Sequence, residues 1–127
     1  MRDLPLIAEW QRVTHGLLAA LERELSSLQL SAAETNALAC FAGRPARTVR
    51  ELVAATGQRP STLTGVLDRL ERRGLVERRP NPADRRSIAI HLTSDGHAAA
   101  EAVAAAFAAV EARLPVDEIR RVLAALN

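Results

Sequence analysis

One arginine-rich stretch, residues 78–86, holds the side chains of this sequence that are best suited to binding chemistry. It reads RRPNPADRR, so four guanidinium groups flank a turn that contains two prolines. Guanidinium groups form forked, charge-assisted hydrogen bonds with phosphate and carboxylate groups, which lysine cannot do in the same way. Four of them beside one turn indicate an anion-binding surface, although charges on a hairpin can also serve solubility alone.

The distribution of charge along the chain supports this interpretation. Seventeen arginines and no lysine stand against fifteen acidic residues, which gives a net charge of +2. Residues 44–86 contain eleven arginines and five acids, a surplus of six positive charges, whereas the remaining residues contain six arginines and ten acids. A basic middle between acidic flanks is typical of a protein that binds a polyanion such as nucleic acid.

The other residues with chemical potential are few. His15, His91 and His97 lack the spacing of a metal site, and the single cysteine, Cys40, lies in the apolar run LACFAG, where core packing is the simpler role. The sequence has no phosphate-binding loop, nucleophile elbow or metalloprotease helix motif. We therefore expect no enzyme activity, no bound metal and no cofactor.

Length and composition predict one folded domain over residues 1–127. A chain of this length with 48% apolar and 25% charged residues can bury one core but not two. No apolar run approaches the ~20 residues that span a membrane. The N-terminus lacks the pattern of a secretory signal, so we expect a cytoplasmic protein without a membrane partner.

Capping residues and apolar periodicity predict the helices that hold the arginine-rich stretch. A first amphipathic helix covers roughly residues 4–28. Capping boxes at residues 31–34 and 48–51 each begin a further helix. Pro60 suits the first turn of the next helix, and Gly74 is the glycine expected just after its end.

The apolar period changes after this helix from that of a helix to that of a strand. Residues 75–79 and 87–93 are predicted strands, and the turn-rich residues 80–84 between them predict a hairpin. Thr93 caps an alanine-rich helix, and Pro115 begins a last one. The order predicts a mainly α fold with a small β-hairpin, in which a winged helix-turn-helix is flanked by outer helices.

From Leu30 to Gly96 the sequence resembles the MarR (multiple-antibiotic-resistance regulator) family of bacterial transcription factors. The segments LERRGLVERRPNPADRR and LTSDG are the most family-like, since helix, glycine stop, hairpin and Asp-x-Arg turn occur in register. The resemblance implies a winged helix-turn-helix over residues 30–93. Its helix-turn-helix would lie at about residues 48–73 and its wing at about residues 75–93.

The resemblance also implies a homodimer that binds a palindromic operator in double-stranded DNA. Residues 1–29 and 94–127 would form the dimerisation helices. The residues expected at the dimer interface are Leu6, Trp10, Leu17, Val103, Phe107, Val110, Ile119 and Leu123. Family members are often repressors that a small ligand or an oxidant releases from DNA, and the effector here could be aromatic.

Family members place the arginine of the Asp-x-Arg turn in the minor groove, and this turn corresponds to Asp84 and Arg86. We expect the carboxylate of Asp84 to hold the Arg86 guanidinium in a bidentate pair. The first residues of the helix that begins at Pro60 would enter the major groove. The predicted DNA-binding residues are Arg59, Pro60, Ser61, Thr62, Thr64, Arg69, Arg79, Asp84, Arg85 and Arg86.

Two alternative functions stay open at this point. The domain could serve protein interaction or dimerisation without binding DNA, but the retained Asp84–Arg86 turn and the basic surplus argue against that. It could also be a regulator that has no effector. The stretch between Gly96 and Leu114 is about two turns shorter than the family pattern, which keeps this second alternative open.

Overall fold

A computed structural model describes residues 3–126, which form six α-helices, one 3₁₀ turn and a three-stranded sheet. The helices α1 to α6 are Leu6–Glu24, Ala32–Ala39, Val49–Thr56, Pro60–Arg72, Ser94–Glu111 and Val116–Ala125, and the 3₁₀ turn is Ser26–Leu28. The strands β1 to β3 are Ala46–Thr48, Val76–Asn81 and Asp84–Leu92. The mainly α winged fold is confirmed. Within the described residues, no helix has the length and apolar character to cross a membrane.

The central helices begin where the sequence predicts, because side chains build their N-caps. At α2 the hydroxyl of Ser31 accepts a hydrogen bond from the backbone N–H of Glu34 at 3.1 Å, and the Glu34 carboxylate accepts one from the N–H of Ser31 at 3.2 Å. Thr48 and Glu51 form the same reciprocal pair at α3. The Thr93 hydroxyl caps α5. Each cap satisfies backbone donors that a helix start leaves without an intrahelical partner.

The sheet has one strand more than the predicted hairpin. β3 is the central strand and pairs antiparallel with β1 on one side and β2 on the other. β1 has only three residues, too few to show an alternating pattern, so periodicity could not predict it. Because β1 runs directly into α3, this pairing fixes the start of the helix-turn-helix against the base of the hairpin.

The hairpin turn is shorter than predicted. β2 continues to Asn81 and β3 begins at Asp84, so two residues separate the strands, whereas the seven residues 80–86 separate the predicted ones. Pro80 fits inside β2 because this is an edge strand, where a missing N–H need not break a ladder bond. The register shifts at the tip, since Pro80 pairs with Ile88 while Asn81 pairs with Asp84, and residues 85–87 bulge between them.

The core is built around the apolar face of α4. Leu63, Val66, Leu67 and Leu70 follow the three- and four-residue spacing of one helix face, and each is at most 1% exposed. The core residues from other elements include Leu38 and Phe41 of the α2 region, Leu52 of α3, Ile90 of β3 and Val103 of α5. Burial of this face leaves the opposite side of α4, and its first turn, at the surface.

The predicted dimer residues have different positions in the single chain. Leu6, Trp10 and Leu123 are exposed, whereas Leu17, Phe107, Val110 and Ile119 are half-buried. The prediction is wrong for Val103, which is fully buried in the core of its own chain and so cannot contact a partner. The apolar stripe of α5 is spaced as an interface would be, but the core of the same chain covers this part of it.

Candidate nucleic-acid interface

The first turns of α4 expose a polar surface. Arg59, Pro60, Ser61, Thr62 and Thr64 are all exposed, and Pro60 is the first helical residue. The N-cap residue Arg59 makes no side-chain capping hydrogen bond. The Thr64 hydroxyl donates to the carbonyl oxygen of Pro60 at 2.9 Å. Ser61 and Thr62 make no side-chain hydrogen bond to any residue in the described range, so their hydroxyls are free for a ligand.

The wing tip holds Arg86 in a way that differs from the prediction. Asp84 accepts a hydrogen bond from the backbone N–H of Arg86 at 3.0 Å, and the predicted bidentate pair with its guanidinium is not formed. A short Asp side chain bonds the backbone two residues ahead in an Asx-type turn. Arg86 is exposed and makes no ion pair within residues 3–126.

Two residues that the sequence interpretation did not single out close the wing tip. The Asn81 amide donates to the Ser87 hydroxyl at 2.9 Å and accepts from the N–H of Ala83 at 3.1 Å. The Ser87 hydroxyl in turn donates to the carbonyl oxygen of Asp84 at 3.2 Å. Asn in a turn is a known signal for such bonds, so Asn81 could have been found from the sequence. These bonds stabilise the bulge that presents Arg85 and Arg86.

Arg78 has a structural role, because its guanidinium is paired with carboxylates of the same domain. Its guanidinium lies 2.7 Å from Asp68 and 3.0 Å from Glu71, two carboxylates on α4. One side chain of β2 therefore links the base of the wing to α4. Arg79 pairs at 2.7 Å with Glu77 on the same strand. Both partners of that pair are more than half exposed, so the pair contributes little stability and Arg79 can exchange Glu77 for another anion.

Arg73 connects the end of α4 to the segment between α1 and α2. Its guanidinium lies 3.7 Å from the buried carboxylate of Glu34. It also donates to the carbonyl oxygen of Gln29 at 2.7 Å and to that of Leu28. Gln29 has a positive φ of 52°, so Arg73 holds a backbone turn that few residues favour.

A third paired group surrounds Glu51 at the start of α3. The guanidinium groups of Arg44 and Arg47 lie 3.2 and 3.3 Å from its carboxylate. The pKa of Glu51 is lowered, first by the hydrogen bond from the backbone of Thr48 and then by its side chain and the two arginines. The Glu51 carboxylate is therefore ionised, and its hydrogen bonds and ion pairs are made within the domain.

The eleven arginines of the basic middle, residues 44–86, form two sets: those that pair with a carboxylate and those that do not. Five are paired with carboxylates. The free arginines, defined as those without a carboxylate partner in the described part of the chain, are Arg50, Arg59, Arg69, Arg72, Arg85 and Arg86, and all are exposed. Four of these six were predicted to bind DNA. Arg50 was not among the predicted DNA-binding residues.

A separate cavity of about 500 Å³ lies between α1, α2 and α5. Phe107, Leu17 and Leu21 form part of its apolar lining, and Gln58 reaches it from the turn between α3 and α4. The side-chain oxygen of Gln58 is buried and has no hydrogen-bond partner in the described part of the chain. The cavity is therefore lined both by the outer helices and by the turn that precedes α4. The unpaired side-chain oxygen of Gln58 could accept a hydrogen bond from a ligand.

The cysteine and histidines form no reactive or metal-binding group in the described structure. Cys40 packs against the core, and burial raises the pKa of its thiol, an effect that Arg47 partly opposes. A thiol with a raised pKa is a poor nucleophile. No cluster of three His, Cys, Asp or Glu residues within residues 3–126 could hold a metal ion.

Comparison with known proteins finds one family. A model of the MarR family matches residues 28–87. The HTH-type transcriptional repressor MdtR of Bacillus subtilis is 31% identical over 111 residues, which cover 87% of this chain and 69% of MdtR. The chain spans 54% to 69% of the length of the curated relatives it matches.

Solved structures give the same result. A mutant of Escherichia coli MarR complexed with operator DNA superposes with a TM-score of 0.76 at 28% identity, covering 98% of this chain and 93% of that one. CouR from Rhodococcus jostii bound to p-coumaroyl-CoA superposes with a TM-score of 0.78 at 27% identity, covering 91% of this chain and 85% of CouR. The similarity therefore extends beyond the winged segment to the outer helices.

Proposed function

Because the chain belongs to the MarR family of bacterial DNA-binding transcriptional regulators, which are not enzymes, we propose that it is a homodimeric repressor. It binds a palindromic operator in the cytoplasm, and a small ligand releases it. MdtR is named a transcriptional repressor, which supports repression rather than activation.

The observation that supports operator binding best is the division of the arginines. The paired arginines hold the domain together, whereas most of the free arginines lie at the start of α4, along α4 and at the wing tip. We place the first turns of α4 in the major groove, where Ser61, Thr62 and Thr64 can contact base edges. Arg59, Arg69, Arg79 and Arg85 contact phosphates, and the Asp84 turn presents Arg86 to the minor groove.

Substitutions in the wing and in α4 should change different properties of operator recognition. Arg86→Ala is expected to lower affinity for every operator and to remove preference for A·T pairs at the flanks, because a narrow A·T minor groove attracts a guanidinium. Thr62→Ala should change preference inside each half-site, and removing its hydrogen bond to a base should cost about 1–3 kcal/mol per half-site. Selection of bound sequences from random duplexes, followed by competition among flank and half-site variants, measures both effects.

Each of these variants is the control for the other. The wing assignment is wrong if Arg86→Ala binds as the parent does, or if it shifts only half-site preference. Failure of the parent to select any common sequence would contradict operator binding itself.

The outer helices support a dimer. α1 and α6 have no buried residue in the single chain. A groove of about 430 Å³ between them is lined by the apolar residues Leu6, Trp10, Val13, Leu17, Leu114 and Ile119. A contiguous apolar surface of this kind is typical of a protein interface. We propose that the same two helices of a second copy fill it.

Light scattering at micromolar concentration should give twice the monomer mass of 13.7 kDa. Leu6→Glu should shift the protein toward the monomer, because it puts a charge into an apolar interface. Leu6 is 69% exposed, so this change leaves the single-chain core intact, whereas Phe107 packs against that core. Ile88→Glu is the matched control, since Ile88 is an exposed apolar residue of the wing and should not affect the mass. A monomer mass for the parent across this range would contradict the dimer.

The cavity beside Phe107 supports a small-molecule effector. CouR, whose structure is similar to that of this chain, has been solved bound to p-coumaroyl-CoA, so a domain of this shape can hold an aromatic acyl group. A ligand that donates a hydrogen bond to Gln58 would contact the turn directly before α4. We propose that such a contact moves α4 relative to the wing and so weakens operator binding.

A further inference from the structure

A groove of about 420 Å³ separates the first turns of α3 and α4 from the wing. It is lined by Val49, Arg50 and Val53 of α3, by Pro60 of α4 and by Arg86, Ser87 and Ile88 of β3. Two arginines therefore line one groove, and no carboxylate is among its lining residues. An anion bound at its edge would be attracted by both positive charges and repelled by none of the lining residues.

The acid next to Arg50 in the sequence cannot supply this anion. Glu51 accepts the backbone N–H of Thr48 at 3.1 Å. It also lies 3.2 Å from Arg44 and 3.3 Å from Arg47. These contacts hold its carboxylate among three donors, so Arg50 is left without a counterion.

The acid nearest to Arg86 in the sequence does not pair with its guanidinium. The Asp84 carboxylate accepts a hydrogen bond from the backbone N–H of Arg86 at 3.0 Å, and no ion pair joins the two side chains. Arg50 and Arg86 thus line one groove from two different elements, and neither has a carboxylate partner in the described part of the chain.

The position of the groove indicates which anion fills it. Pro60 begins the helix that the proposed function places in the major groove, and Arg86 is the residue that it places in the minor groove. The two grooves of a duplex are separated by a phosphate backbone, so the surface between Pro60 and Arg86 must cross that backbone. Guanidinium donors match phosphate oxygens in geometry as well as in charge.

We infer that Arg50 binds one backbone phosphate of the operator at the groove between α3 and the wing, next to the minor-groove contact of Arg86. The inference rests on the proposed operator binding and adds to it a contact residue outside α4 and the wing. The phosphate would be the one at the junction of the major-groove and minor-groove contacts, and it would fix the register of the protein on the duplex.

The test compares Arg50→Ala with Arg44→Ala in the full dimeric protein on its selected operator. Both changes remove one exposed positive charge near the start of α3, but Arg44 is already paired with Glu51. Arg50→Ala should lower affinity on the order of 50-fold at about 0.1 M salt and reduce the salt slope by roughly 2, because each protomer of the dimer gives up one phosphate contact. Arg50→Lys should restore most of the slope, and base preference should not change. Arg44→Ala should bind nearly as the parent does.

A scan in which single phosphates are replaced by neutral methylphosphonates identifies the contact. One phosphate per half-site should weaken the parent when neutralised and have no effect on Arg50→Ala. The inference is overturned if Arg50→Ala matches Arg44→Ala, or if no phosphate loses its effect in the Arg50 variant. In both cases the proposal of operator binding still stands if the parent protein binds the duplex with a steep salt slope. A parent that binds no duplex overturns both proposals.

Discussion

Operator binding is expected to weaken about 10³- to 10⁵-fold when the salt concentration rises from about 50 to about 200 mM. Each protomer has six free arginines in its basic middle, and their charge is not neutralised by acids of the described chain. If each protomer neutralises about three to five phosphates, log K against log salt should have a slope of roughly −5 to −9 for the dimer.

Titration of a labelled operator by fluorescence anisotropy at several salt concentrations measures this slope. The mass of the protein must be checked by light scattering at the same salt concentrations, so that dissociation of the dimer is not read as weaker phosphate binding. A slope shallower than about −2 would mean that the free arginines do not meet phosphates, and the operator-binding proposal would then be wrong.

Gly96→Ala is expected to destabilise the fold by about 3 kcal/mol, the upper end of the usual cost of overpacking. A Cβ at Gly96 would lie 1.9 Å from the carbonyl oxygen of Leu75. The backbone there cannot easily move, because the N–H of Thr93 donates to that same oxygen at 3.1 Å. The Thr93 hydroxyl also donates to the carbonyl oxygen of Gly74 at 2.6 Å. The start of α5 is thus bonded to the segment that joins α4 to β2.

Urea unfolding of the variant and the parent at equal protein concentration gives the difference in free energy of unfolding. Gly65→Ala is the matched control, since Gly65 is also helical and its nearest contact would be the flexible end of Arg69 at 3.6 Å. That change should stabilise α4 by up to about 1 kcal/mol, because alanine is a better helix former. A Gly96 variant as stable as the parent would show that α5 can shift at no cost.

The sequence by itself determined the local structure and indicated the class of ligand. The capping boxes at residues 31–34 and 48–51 were predictable because their hydrogen bonds join residues only three positions apart. The stop at Gly74 was predictable because this position needs a positive φ of 73°, which glycine adopts without strain. The basic surplus is a property of composition, so it indicated a polyanion without any knowledge of the fold.

Tertiary structure alone decided which of these residues are free to act. Arg78 and Arg86 look alike in the sequence, but Arg78 is paired with two carboxylates of α4 and Arg86 is not. Likewise, the spacing of Val103 showed that one face of α5 is apolar but not that its own chain covers that face. Ion pairing and burial depend on distances between residues far apart in the chain, and a periodic pattern has no information about which distant residue completes each contact.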